Sequence, residues 1–320
     1  MITILSLTNP TPSLARLASL TAAVFAFAMA SVANAQQSFK TAEEAVDALV
    51  STARTGDRKG VLTVLGRDGA DIVSSGDAIA DASARNRVVE AYDAKHQVVM
   101  EGTDKAVLII GREDWPFPIP LVRKDSTWRF DTAAGREEIL YRRIGRSELS
   151  AIQACLAYVD AQQEYAERGA AGNGVYAQRI VSQPGKKDGL YWPAQSSEDE
   201  SPLGELAASA ATEGYRVGQQ RTPYHGYYYK VLTRQGPNAS GGALDYVVRG
   251  RMIGGFALVA YPAEYRNSGV MTFLVNHQGN VYEKDLGPNT ARIAAGITAF
   301  NPDNTWRRAT DAAQPSTGAK

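Results

Sequence analysis

Two periodicities divide the chain. From residue 41 apolar positions recur at three- and four-residue spacing, and beyond residue 97 they alternate with polar ones. Thr41-Ala42-Glu43-Glu44 is a capping box, in which a hydroxyl and a carboxylate take up orphaned N–H groups at a helix start. Val46, Leu49, Val50 and Ala53 then fall on one face, and Gly56 ends the run. Further helices are predicted over 57–65 and 77–94, the latter carrying Ile79, Val88, Val89 and Tyr92. Strands are predicted over 97–101, 105–111, 119–124 and 127–131, the last two forming a hairpin around Lys124-Asp125-Ser126.

Helical spacing returns after a charged stretch, 136–147, which contains Arg142, Arg143 and Arg146 and reads as a connecting segment. Ser147 is the expected cap of a helix over 148–168, with Leu149, Ile152, Leu156 and Val159 on its apolar face. An irregular region follows, with one short helical patch over 204–213. Val-, Tyr-, Phe- and Thr-rich runs over 224–233, 255–261, 270–276 and 281–285, bounded by Gly, Pro and Asn, predict an antiparallel sheet. A helix over 288–300 is expected to cover it. The fold class is therefore α+β in two domains: helices on a sheet over 36–135, and one helix plus an antiparallel sheet over 148–308. Residues 309–320 are expected to be a disordered tail.

The first 35 residues change the picture. Arg16 is the only charge before the apolar stretch 17–32, which closes on Ala33-Asn34-Ala35, the pattern of a secretory signal cleaved after Ala35. The stretch is shorter than the about 20 residues a spanning helix needs. A periplasmic location is expected, with no membrane span once the signal is removed. The remaining chain has 33 basic and 34 acidic side chains, a net charge of −1. Such a balance lacks the basic footprint of a nucleic-acid or anionic-lipid binder.

Catalytic chemistry is sparse. Cys155 is the single cysteine, so no intramolecular disulfide forms, and its apolar neighbours mark it as a buried thiol. His96, His225 and His277 sit on separate elements without the paired spacing of a helical zinc site. No phosphate-binding Gly-rich loop and no G-x-S-x-G elbow occurs, and no cofactor is expected. The best acid–base set is His225 beside Tyr224, with Asp245 or Glu264 as the orienting acid. Glu198-Asp199-Glu200 lacks the spacing of a calcium loop and reads as a solvated turn. Tyrosine is the strongest surface signal: Tyr224, Tyr227, Tyr228, Tyr229, Tyr246, Tyr261 and Tyr265 make a candidate binding surface for glycan rings or a partner protein. Strand alternation puts Tyr227 and Tyr229 on one face and Tyr228 with Lys230 on the other. The loops Trp115-Pro116-Phe117-Pro118 and Tyr191-Trp192-Pro193 could extend that surface.

Residues 40–135, closing on Trp128-Arg129-Phe130-Asp131, resemble the cone-shaped nuclear-transport-factor-2-like and cystatin-like folds. The motifs YHGYYYKVL, GGFALVAYPAEY and NVYEKDLG resemble the bacterial domain-of-unknown-function family 2950 over about residues 38–307. That resemblance implies an exported protein of a Gram-negative bacterium and no assigned activity. The second half is also similar to the globular heads of type IV pilins and pseudopilins, through Ala151-Ile152, Gln162-Gln163, Tyr165, the run 257–262 and the run 271–282. It departs from them where a pilin has a long apolar helix, because 137–147 carries three arginines. The expected function is that of a non-enzymatic envelope module binding a partner protein or cell-envelope polymer. A small-ligand carrier, with Trp115 and Trp128 around the N-terminal cone, and a cofactor-free hydrolase are the alternatives. Oligomeric state stays open. Mass spectrometry of the exported protein is expected to find a chain beginning at Gln36; an intact N-terminus held in the membrane would refute the signal reading.

Overall fold

A computed structural model of the protein describes residues 36–196, 199–216 and 222–309. The expected signal and the end of the tail lie outside these residues. The chain is an α+β protein with an N-terminal region of helices plus antiparallel sheet and a C-terminal antiparallel sheet.

The N-terminal helices follow their caps. Helix α1 (Ala42–Thr55) starts at Thr41, whose hydroxyl accepts Glu44 N–H, while the Glu44 carboxylate accepts Lys40 N–H; Gly56 ends it in the left-handed region. Helix α2 (Arg58–Leu65) is capped by Asp57, and a single turn, α3, spans Ala70–Val73. Helix α4 (Ala78–Ala94) is capped by Asp77 and has no fully buried residue. Strands β1 (His96–Met100), β2 (Lys105–Ile110), β4 (Leu121–Lys124) and β5 (Thr127–Phe130) pair antiparallel in that order. The loop at Trp115 contributes an unexpected fifth strand, β3 (Trp115–Pro116), paired with β2. Leu108, Ile110, Leu121, Trp128 and Phe130 pack against Val46, Leu49, Val64 and Leu65 to make the first core.

The predicted connecting segment is no break. Helix α5 runs unbroken over Thr132–Arg168, 37 residues, and is capped by Asp131, which accepts Ala134 N–H. Ser147 therefore caps nothing. Its charges are satisfied sideways, as with Arg142 to Glu138, so the helix has no reason to stop there. The apolar face also turns out rotated. Ala151, Cys155, Tyr158, Gln162 and Tyr165 are buried, while Leu149 is 65% and Leu156 42% exposed. Small residues at 151, 154 and 155 let the sheet approach the helix closely, which larger leucines would prevent.

The C-terminal sheet holds β6 (Tyr227–Leu232), β11 (Ala257–Pro262), β12 (Met271–Asn276), β13 (Val281–Asp285) and β14 (Arg307–Arg308), in the order β14-β13-β12-β11-β6. Two small ladders sit beside it: β7 (Arg234–Gln235) with β8 (Leu244–Asp245), and β9 (Val247–Val248) with β10 (Arg251–Met252). Helix α5 lies on one face of this sheet. The expected 288–300 helix is shorter: a 3-10 turn leads into α7 (Thr290–Gly296), and Phe300 bridges Gln235. The helical patch becomes α6 (Gly204–Thr212).

One carboxylate ties the two regions together. Asp77 is 1% exposed; its Oδ1 accepts Ile79 and Ala80 N–H (both 3.1 Å), and its Oδ2 accepts the Tyr215 hydroxyl (2.9 Å) and Gly226 N–H (2.8 Å). Nearby, Arg143 donates to the carbonyls of Asp71 and Ile72 and to Asn267 Oδ1, and Asn267 Nδ2 donates to Ser74 O (2.7 Å). Replacing Asp77 by Ala removes a cap and strands two buried donors. Urea unfolding is expected to show a loss of about 2–4 kcal/mol, whereas Asp93→Ala, which breaks the exposed pair with Arg54, should leave the midpoint nearly unchanged.

Candidate functional site

Of the acid–base candidates in the sequence, the seam between the two regions holds Tyr224, His225 and Glu264. The loop before β6 turns through His225, a non-glycine residue at φ 50°, and Gly226 at φ 78°. That turn sends Gly226 N–H to Asp77 and His225 N–H to the Tyr215 hydroxyl (3.2 Å). His225 Nε2 stands 3.3 Å from Glu213 Oε2, just past α6, and its ring packs on Tyr224 (4.2 Å between centroids) and Tyr215 (5.6 Å). Burial, and then the charge of Asp77, drive the Tyr215 phenol far above its ordinary value. Tyr215 stays a neutral donor to Asp77. The acid at His225 is thus Glu213, which the sequence reading did not single out.

Of the two acids it did name, Glu264 sits on the seam against Gly76 but does not bond His225, and Asp245 lies away from the seam. Glu264 is exposed and accepts Asn267 Nδ2 (2.7 Å), and Asp245 is the register partner of Arg234 in the β7–β8 ladder. Glu213 sits at the end of a short alanine-rich helix, 12 residues from His225, and only the fold brings the pair together.

The seven tyrosines divide by burial. Tyr227 and Tyr246 are 0% exposed: Tyr227 packs on Phe273 under α5, and Tyr246 donates to Gln235 Oε1 (2.9 Å). These two are core residues. Tyr224 and Tyr229 are half-buried on the seam side, 6.4 Å apart. Tyr228 and Tyr261 are direct cross-strand partners, both half-buried, with rings 5.6 Å apart and tilted by 43°. Alternation directs them away from α5, since Tyr227 points toward it. Lys230 shares their face, and its Nζ donates to Ala294 O (3.2 Å) and Ala295 O (2.8 Å) at the end of α7. Tyr265 is half-buried, its hydroxyl donating to Asp285 (3.1 Å) beneath the Arg266 guanidinium.

The remaining candidates are structural in their contacts. His96 stacks on Tyr92 at 3.7 Å and bonds its carbonyl. His277 packs edge-on against Tyr246 and Phe256, its Nδ1 is buried without a partner, and burial lowers its pKa. Cys155 is fully buried, and burial pushes its thiol up to about 12. Trp128 is a core residue, and the Arg142 guanidinium covers Trp115 at 5.4 Å. Asp199 pairs with Lys187 and Trp192 Nε1 donates to its carbonyl, so the acidic loop is pinned to its own domain; Glu198 lies outside the described residues. Among the described residues no cluster of three metal-ligating side chains occurs, and no helix is long and apolar enough to cross a membrane.

The family described as "Protein of unknown function (DUF2950)" matches residues 36–309. The chain belongs to the DUF2950 family. The match spans both sheets and the seam, so the DUF2950 unit is the whole two-region assembly rather than either half. No curated protein and no solved structure matches the chain.

The half-buried imidazole of His277 gives a pH test. Its pKa is depressed from 6.5, so the stability gained by keeping it neutral is full above pH 6.5 and falls as pH drops below that value. Glu283 and Asp81, whose carboxyls burial pushes up, act with the opposite sign. Comparing the protein with His277→Gln removes them. Between pH 7.5 and about pH 5 the unmodified protein is expected to lose more unfolding free energy than the variant; equal losses would show that the ring titrates freely.

Proposed function

We propose that this DUF2950 protein is a non-enzymatic module of the cell envelope, exported by its first 35 residues, that binds a partner protein or an envelope polymer. The observation that carries the reading is the Tyr228–Tyr261 pair. Two neighbouring strands hold the rings at fixed spacing on the sheet face opposite α5, half open to solvent. A tyrosine ring offers apolar area and a hydroxyl at small entropic cost, which suits sugar rings and protein surfaces alike. Tyr265 and Lys230 add a polar rim.

The scaffold reading extends the sequence resemblances. The N-terminal helices and sheet are a cone-like support of the nuclear-transport-factor-2-like or cystatin-like kind, and the C-terminal helix and sheet are a pilin-head-like module. The arginines of α5, two of them engaged with Glu138 and with the carbonyls of Asp71 and Ile72, support use of that module outside a pilus.

A second reading rests on His225 and Glu213. An imidazole 3.3 Å from a carboxylate, at the rim of a tyrosine cluster, is the arrangement of a general base with its orienting acid. The two readings separate by mutation. With the mature protein and isolated cell-wall sacculi or periplasmic extract, Tyr228→Ala is expected to weaken binding by about 1–3 kcal/mol with an unchanged melting temperature. His225→Ala should leave binding and cellular phenotype intact. A stable His225→Ala protein without cellular function would overturn the binding-module reading in favour of the hydrolase.

A further inference from the structure

The C-terminal sheet ends at β6, and the phase of its hydrogen bonds shows which backbone groups face outward. Ala263 N–H donates to Gly226 O (2.8 Å), and β6 continues in register with Pro262 opposite Tyr227 and Ala257 opposite Leu232. In an antiparallel ladder this turns the backbone groups of Tyr228, Lys230 and Leu232 toward β11, and those of Tyr227, Tyr229 and Val231 away from it. Tyr227 is closed off by reciprocal bonds with Tyr224 (2.9 and 3.1 Å). Further on, Thr233 O accepts Tyr246 N–H (2.9 Å). Between these closures the N–H and C=O groups of Tyr229 and Val231 have no backbone partner among the described residues.

A groove of about 400 Å³ adjoins this open stretch from Lys230 onward, lined by residues 230–234 and by Asp245, Val247, Ile297 and Thr298. Its charges are unequally used. Lys230 is taken up by two carbonyls of α7. Arg234 donates only to Thr298, to its carbonyl (3.4 Å) and its hydroxyl (3.1 Å), and makes no ion pair among the described residues. The groove therefore has an extended backbone edge, apolar walls and two cations, Lys230 and Arg234, against one carboxylate, Asp245, which stands opposite Arg234 in the β7–β8 ladder without forming an ion pair.

We propose that the β6 edge receives, as an added strand, an extended acidic segment of a partner protein. The outward groups of Tyr229 and Val231 repeat at about 6.8 Å, the two-residue period of a strand, which a peptide backbone matches and a glycan does not. Val247 and Ile297 take apolar side chains at alternate positions, and Arg234 takes a carboxylate. A second copy of this chain is the poorer occupant, because edge-to-edge pairing about Lys230 sets two ammonium groups against each other. This site borders the tyrosine face at Lys230 but uses neither Tyr228 nor Tyr261, and its failure leaves that reading untouched.

The test uses fluorescein-labelled hexapeptides of alternating valine and threonine, one ending in two aspartates, one ending in two lysines, and an aspartate version with alternate amides N-methylated. Anisotropy is expected to saturate with the aspartate peptide, to need at least about fivefold more protein with the lysine peptide, and to show no binding by the N-methylated one. Amide exchange at Tyr229 and Val231 should slow on adding the aspartate peptide, and Arg234→Glu should reverse the charge preference. No saturation by about 1 mM protein, equal binding of the N-methylated peptide, or unaltered exchange at those two amides would overturn the proposal. So would a concentration-dependent dimer that protects the same amides without peptide.

Discussion

Asp77 places a carboxylate where water does not reach, and its surroundings are arranged to make that tolerable. A buried charge is costly unless hydrogen bonds replace its hydration. Asp77 obtains two donors from the first turn of α4 and two from the C-terminal region, at Tyr215 and Gly226. Neither region alone completes the set. The positive φ at His225 and Gly226 follows from the same demand, since only that turn aims the Gly226 N–H inward.

Helix α5 is the second element of this coupling. It begins against the first core through Thr132, whose hydroxyl bonds Leu65 O, and ends against the second through Tyr165. Midway, Arg143 grips the chain just before Asp77, while Glu148 accepts the N–H groups of Val270 and Met271 at the start of β12. In this charged stretch Arg143 is the side chain that holds both regions, through the carbonyls of Asp71 and Ile72 on one side and Asn267 on the other.

Much of the fold was legible because its signals are local. The capping box at Thr41, the stop at Gly56 and the turn at Asp125-Ser126 need only neighbours along the chain. The C-terminal strands were readable from their Val- and Tyr-rich runs, and alternation correctly parted Tyr227 from Tyr228. What sequence spacing missed is decided across the chain. Ser147 resembled a cap, yet the helix passes through it because Asp131 had already supplied one. Leu149 and Leu156 looked like core, yet the close sheet selects Ala151 and Cys155. Glu213 was invisible beside His225, because no periodicity links the end of a short helix to a loop beyond it. Tyr246 was grouped with surface rings, and only the small ladders that enclose it reveal a core position.

The bond from Asp77 to Gly226 spans 149 residues of chain. As the polypeptide is made, α4 and the first sheet are complete long before that partner exists, so the early half must hold an acid with half of its donors missing. Closing so long a loop costs conformational entropy that is recovered only when the last third of the chain arrives. The native state is thereby committed late, and the order of synthesis sets a waiting period during which α4 has its cap but not its anchor.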